Sequence, residues 1–359
     1  MPELPEPDFD TEILCHPGLD RPRSVVRVSA GLDVSAGCWP VVRPQPDFNH
    51  LETAVQGVVK RFCSLPPESD PIFMSDFESF VADWLQKNME PLSLDADTSF
   101  EPWLEKTRHP RWRKDELVAA DERLLKEGVT FKSRKVKSFI KREEYPEYKF
   151  ARAINSRSDV FKVFSGPIFK LIEEALFSRP EFIKKVPVAE RPKYIMSLLD
   201  GIGLLYLGTD YTSFEALFKA RLMLACEMQL YRYMTSKIRG GKEWFAEIQR
   251  TLTGPNACWF RGFEVRTTAR RMSGEMCTSL GNSFSNLMFM LFVCHKLGVD
   301  VRGVVEGDDG LFAIPADGPV PSPQDFEKLG LKIKLNVFTE SNSSFPRCTV
   351  CIQFTPSRR

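Results

Sequence analysis

The apolar positions of the chain fall into two periods, and the ends of each run place its polar residues. Leu204-Leu205-Tyr206-Leu207 is a short unbroken apolar run, the signature of a buried strand, and Asp210 follows at its end. From Leu217 the period changes. Leu217, Leu224, Met228 and Tyr231 fall on one helical stripe, which predicts a helix reaching Met234. Leu280, Phe284, Leu287, Met288 and Leu291 form a second buried helical stripe. Val304-Val305 and Leu311-Phe312 frame Gly307-Asp308-Asp309-Gly310, which predicts a hairpin with the acidic pair at its tip. Further helices are predicted at 77–85 and 161–176 and around 325–329, with Pro180, Pro187 and Pro192 breaking the chain after the second. Glu264-Val-Arg266-Thr-Thr-Ala alternates as a strand does, and Gly240-Gly241 and Gly254-Pro255 read as turns. Short strands are expected at 25–34, at Val41-Val42 and over 348–354.

The polar residues at these boundaries carry the chemistry. Two adjacent carboxylates on a tight hairpin repel each other unless a cation compensates. An EF-hand does not account for them, because counting from Asp308 puts Gly310 at the third loop position and Pro319 at the twelfth. A strand-end carboxylate at Asp210 beside a hairpin-tip carboxylate could clamp two Mg²⁺ ions about 4 Å apart, the arrangement that stabilises both oxygens of an in-line phosphoryl transfer. On the second helix, Thr278 and Asn282 are one turn apart and share a face. Gly281 and Ser285 are spaced the same way, and their small side chains suggest close approach by a bound strand. Ser273-Gly274 lies just upstream, in a loop where glycine allows unusual backbone angles. Each of these signals alone fits a turn, a cap or an ordinary helix. Their order and spacing do not.

Asp210-x4-Glu215, Ser273-Gly274-x3-Thr278-x3-Asn282 and Gly307-Asp308-Asp309 together resemble motifs A, B and C of the RNA-dependent RNA polymerases of positive-strand RNA viruses, most closely the tombusvirus-like and related groups. The similarity is specific over about residues 130 to 315. It implies an α+β right-hand architecture of fingers, palm and thumb. On that scheme residues 1–60 are an N-terminal extension, 61–203 the fingers, 204–345 the palm with a fingers-side insertion at 237–271, and 346–359 the motif E strand and the start of a truncated or absent thumb. The resemblance makes Asp210 and Asp308 metal ligands assisted by Asp309, with Mg²⁺ as two ions and Mn²⁺ as the alternative. Ser273, Thr278, Asn282 and Glu215 would sit at the incoming ribose. Glu215 stands where the family usually has Asp, which changes the reach of that carboxylate.

Lys132 to Arg142 holds six lysines and arginines and no acidic residue, and it is followed by Glu143, Glu144, Lys149 and Arg152. The stretch resembles motif F, which implies that Lys141, Lys149 and Arg152 bind the nucleoside triphosphate. Arginine suits that role because its fork matches phosphate oxygens. Lys332 and Lys334 fall near motif D, which makes them candidates for the general acid that protonates leaving pyrophosphate. The implied partners are template RNA, nascent RNA, nucleoside triphosphates and other viral replication proteins. The implied location is the host cytoplasm, at membrane-bound complexes reached through those partners.

Composition narrows the alternatives. The 359 residues, 43% hydrophobic and 27% charged, suit a soluble globular chain, and the net charge of +1 argues for a local basic channel rather than a basic surface. Nine scattered cysteines read as reduced thiols of a cytosolic protein. Cys348-x2-Cys351 has no partner pair, so zinc is not expected, and the apolar run at 287–293 is too short to span a bilayer. A reverse transcriptase would carry an aromatic and Met or similar before Asp-Asp, where Glu306-Gly307 stands. A catalytically impaired, RNA-binding polymerase shell would have lost a metal carboxylate.

Overall fold

The computed structural model describes residues 8, 10–16, 27–33, 39–47, 50–144 and 149–339. In chain order the elements are β1 (Glu12–Cys15), β2 (Arg27–Asp33), β3 (Trp39–Gln45), α1 (Leu51–Arg61), α2 (Pro71–Asn88), α3 (Phe100–Lys106), α4 (Arg111–Glu127), β4 (Val136–Ile140), β5 (Ala153–Arg157) and α5 (Asp159–Leu176). A 3-10 turn (Ile183–Lys185) and α6 (Arg191–Leu199) lead into β6 (Leu204–Tyr211). Then come α7 (Phe214–Leu217), α8 (Ala220–Ala225), α9 (Glu227–Met234), α10 (Gly241–Leu252), β7 (Pro255–Phe260), β8 (Phe263–Thr268) and α11 (Thr278–Leu297). β9 (Arg302–Glu306), β10 (Asp309–Pro315), α12 (Pro323–Glu327) and β11 (Ile333–Thr339) are the last elements among the described residues. Helices and mostly antiparallel sheets make this an α+β fold. The strand expected at 348–354 and any start of a thumb lie outside the described residues.

The apolar run at Leu204 becomes β6, an inner strand of a four-stranded antiparallel sheet in the order β11-β6-β10-β9. Alternation divides its side chains. Leu207, Val305, Phe312 and Ile314 face the large core around α11. Tyr206, Val304, Leu311 and Ala313 face Ile183, Ile195 and Leu199 of the 3-10 turn and α6. Both faces are therefore covered, which explains why β6 reads as a continuous apolar run.

The predicted helix stripe at Leu280 is present in α11, but the burial is wider than a stripe. Every residue from Leu280 to Met290 is buried, since α11 is enclosed by the sheet, α2 and α9. Phe284, Phe289 and Phe292 pack against Trp84 and Phe77 in tilted and edge-on contacts. Each such ring contributes roughly 1.5–3 kcal/mol by leaving water.

Three expectations need correction. The helix expected from Leu217 to Met234 is three short helices. Cys226 leaves the helical basin at φ −118°, ψ −95°, so Glu227 begins a new helix and its carboxylate turns inward to the buried guanidinium of Arg271, 2.7 Å away. Pro192 opens α6 instead of breaking the chain, because a proline in the first turn removes no helical hydrogen bond. Gly240-Gly241 and Gly254-Pro255 bound a twelve-residue helix, α10, that the turn signals did not disclose.

A second sheet has the order β1-β8-β7-β4-β5, with β4 and β7 parallel and the other pairs antiparallel. β2 and β3 pair with each other, within the strand expected at 25–34 and around that expected at Val41-Val42. Segment 255–268 thus pairs with the basic segment 136–157 rather than with the strands next to it in sequence. Among the described residues six cysteines carry free thiols, and no helix is long and apolar enough to cross a membrane.

Candidate active site

The acidic pair sits where the hydrophobic pattern placed it. β9 and β10 are joined by a two-residue turn, Gly307-Asp308, with Asp309 opposite Glu306. Gly307 has φ 67°, the positive value that a primed hairpin turn requires at its first central residue. The turn is held from below by α11 and β6. The Gly307 amide donates to Ser283 Oγ at 2.8 Å, and Asn286 Nδ2 donates to the Gly307 carbonyl at 3.3 Å. Tyr211 Oη donates to Asn286 Oδ1 at 3.1 Å, and Thr209 Oγ1 donates to the Asp308 carbonyl at 3.3 Å. These neutral bonds fix the backbone and use no carboxylate oxygen. Sequence reasoning missed Ser283, Asn286, Thr209 and Tyr211. The available signal for the helix pair was the i, i+3 spacing of Ser283 and Asn286, which puts both on one face of α11.

Asp210 lies on β6, one position beyond the last β6–β10 pair (Gly310 with Thr209), so continued register sets it opposite Asp309 on the same face. In β11 its partner is Lys334. Asp210, Asp308 and Asp309 are all reached by solvent, and none makes an ion pair within the described residues. Protein nevertheless crowds this sheet end. Partial burial, then the charges of Asp308, Glu306 and Asp210, push the Asp309 carboxyl up to about 7. Asp308 is also raised, by burial and by Asp210, against the opposing pull of Arg152 and Arg61. Glu306 is occupied by Arg191, whose two guanidinium nitrogens donate to it at 2.6 and 3.1 Å.

Glu215 joins this group. It follows Ser213, which takes the left-handed conformation at φ 54° and so turns the chain sharply after β6. Burial raises its carboxyl, Asp308 raises it further, and Arg61 and Arg152 oppose. Glu215, Arg61, Arg152 and Ser273 line one small cavity of about 20 Å³, room for about one water. Arg61 was missed because the boundary expected between the extension (1–60) and the fingers (61–203) cuts through α1, which it ends; the apolar spacing of Leu51, Val55, Val58 and Val59 was the signal.

The residues expected at the ribose are only partly gathered. Ser273 Oγ donates to the Ala153 carbonyl at 2.8 Å, and Gly274 N to the Asn155 carbonyl at 3.1 Å, so the loop before α11 is stitched to β5. Arg157 and Glu275, both buried, form an ion pair across the same seam. Thr278 Oγ1 bonds the Met272 carbonyl at 2.7 Å and thus shapes the loop. Asn282 is buried and its Oδ1 has no partner. Gly281 and Ser285 do not face a bound strand. A side chain at Gly281 would collide with Glu227 and Arg271, and Ser285 is fully buried beside Cys226. Their small size makes room for a buried ion pair and for helix packing.

Of the expected phosphate ligands, Lys141 and Arg152 both contact Glu143, at 3.0 and 2.7 Å. Lys149 is exposed. Lys332 is exposed and its carbonyl accepts from Thr212 N at 2.9 Å, whereas Lys334 shares a sheet face with Asp210. Among the described residues no three acidic, His or Cys side chains form a ready-made metal cage. The donor set still suits Mg²⁺, which binds through one or two carboxylates and completes its shell with water and phosphate.

Residues 223–329 match the family model described as viral RNA dependent RNA polymerase. That range contains the loop before α11, α11 itself and the Gly307–Asp309 turn, and it begins after Asp210 and Glu215. It points to RNA-templated RNA synthesis by a nucleotidyltransferase. No curated protein matches the chain.

Proposed function

We propose that the protein is a viral RNA-directed RNA polymerase of the tombusvirus-like kind, with the four-stranded sheet and α11 as its palm and the five-stranded sheet as part of its fingers. The observation that carries this reading is the meeting of Asp210 with Asp308 and Asp309 at adjacent strand ends, where burial and neighbouring negative charge raise the carboxyls of Asp308 and Asp309. Asp210 and Asp308, with Asp309, would hold two Mg²⁺ ions. Bound there, the ions would neutralise charge on the attacking and leaving oxygens. Ser283 and Asn286 keep the turn rigid, so the carboxylates need no rearrangement when the triphosphate arrives. Arg152 and Lys141 would exchange Glu143 for phosphate oxygens. The unpartnered Oδ1 of Asn282 is suited to accept from a ribose hydroxyl, with Glu215 nearby, and reading the 2′-OH is what separates RNA from DNA. Lys334 is better placed than Lys332 to protonate pyrophosphate. Incubation with a primed RNA template, four ribonucleotides and Mg²⁺ should give products complementary to the template. Products that ignore template sequence, or that persist in Asp308→Ala, would refute the assignment.

A further inference from the structure

The five-stranded sheet has two unlike faces. On one, Val136, Ile140, Cys258, Phe263 and Val265 build a core with α1. Ala153, Asn155 and Arg157 point the same way in β5, toward the loop before α11. The opposite face carries Lys137 and Trp259 directly in register across the parallel β4–β7 pair, with Phe139 two residues further along β4. Inner strands seldom leave large rings in water, yet Trp259 is 39% exposed, Phe139 51% and the neighbouring Phe131 72%.

Lys135 and His16 pack against two of these rings. Lys135 Nζ lies 4.9 Å from the Trp259 ring centroid and 5.9 Å from that of Phe131. His16 stacks on the indole at 6.2 Å with an interplanar angle of 15°. A groove of about 590 Å³ passes Phe131, Lys135 and Trp259. A larger cleft of about 990 Å³ wraps the sheet edge at Phe139, reaching Ile140 and Phe263 of the other face, and is edged by Lys137, Lys141, Arg142 and Arg261, while its acidic residues Glu116 and Asp159 are paired with Arg113. Glu264 lies on this face but is buried and bonded to Arg266 at 2.8 Å. Asp10 and Glu12 mark the far margin of the smaller groove.

We propose that this outer sheet face is a second RNA-binding surface, which holds a single-stranded segment by stacking bases on Trp259 and Phe139 while Lys135 and Lys137 neutralise its phosphates. Rings alternating with lysines match a polyanion whose bases present π faces, and such stacking tolerates any sequence. A protein partner fits less well, because the centre of a protein interface is depleted in lysine. A duplex fits less well because its base faces are already stacked. Trp259 and Phe139 are spaced by about 7 Å along the strand direction, two residues of rise, which suits an extended strand. The surface lies across the sheet from the contacts to the loop before α11, and its ligand is argued from its own side chains, so the inference does not depend on the polymerase reading.

The test is ultraviolet cross-linking of a mixed-sequence single-stranded RNA to the full chain, with adducts mapped by mass spectrometry, together with binding measured by fluorescence anisotropy. Adducts are expected on the peptides bearing Trp259 and Phe139. Trp259→Ala and Phe139→Ala should each weaken binding by about ten-fold, with circular dichroism unchanged, and Asp308→Ala should leave these adducts in place. Adducts confined to the neighbourhood of the carboxylates, or tighter binding of a duplex of equal length, would overturn the proposal. Unchanged RNA affinity in the folded double variant would do so too, and would leave this face to a protein partner. Should a ring-to-alanine variant fail to fold, Lys135→Glu with Lys137→Glu tests the same surface without removing a ring.

Discussion

The two sheets treat charge in opposite ways. Around the five-stranded sheet, buried and half-buried charges are matched: Arg157 with Glu275, Arg134 with Glu247, and Arg270 with Asp8. At the end of the four-stranded sheet, Asp210, Asp308 and Asp309 are brought together with no ion-pair partner among the described residues, and burial with neighbouring negative charge raises Asp308 and Asp309. The first sheet is a closed account of charges that fixes architecture. The second keeps uncompensated negative charge on a turn made rigid by neutral hydrogen bonds. Removing a charge should therefore have opposite consequences in the two places.

The sharpest contrast is between Asp308 and Arg271. Asp308→Ala should lower templated synthesis by at least about a hundred-fold while leaving the melting temperature unchanged or higher, as followed by primer extension and calorimetry. Arg271→Ala strands the buried Glu227 and should cost about 3–5 kcal/mol in urea unfolding. Replacing both partners, as in Arg271→Met with Glu227→Leu, should recover much of that stability. A stable Arg271→Ala would mean that the pair contributes little to the packing of α9 on α11.

A milder contrast separates turn support from ligation. Ser283→Ala leaves the Gly307 amide without its acceptor and should cost about 1–3 kcal/mol, with activity falling further than stability requires. Unchanged activity at a lowered melting temperature would demote Ser283 to a packing residue.

The smallest expected effect concerns pH. Asp309 has a folded pKa of about 7, above its unfolded value of about 3.9. The folded state therefore binds the extra proton between those limits, and stability falls as pH rises through that window. Asp309→Asn removes the penalty. Its advantage over the parent should be about 1–2 kcal/mol at pH 8, after allowance for solvent screening, and should vanish near pH 4. A pH-independent difference would show that the carboxylates do not couple.

Much of this was legible in the sequence, for identifiable reasons. The strand at Leu204, the hairpin around Gly307 and the helix at Thr278 announced themselves because both faces of the sheet and all sides of α11 are buried, which leaves long apolar runs. The break at Cys226 was not legible, since it is imposed by the partner of Glu227 some forty-four residues away, Arg271. Gly281 was assigned to ligand approach because the buried pair that it accommodates is invisible locally. Arg61 escaped because the boundary expected between the extension and the fingers cuts through a short amphipathic helix. The pairing of 255–268 with 136–157 is a long-range contact that no local period encodes.

The central claim is that Asp210, which the family match does not reach, and Asp308, which it does, form one site. The direct measurement is a double-mutant cycle on Mg²⁺-dependent templated extension with Asp210→Asn, Asp308→Asn and both. Groups that act as a unit are strongly non-additive, so each single variant should lose nearly all activity and the double should be no worse than either. Retained activity in Asp210→Asn, or losses that multiply, would separate the two carboxylates and contradict the account.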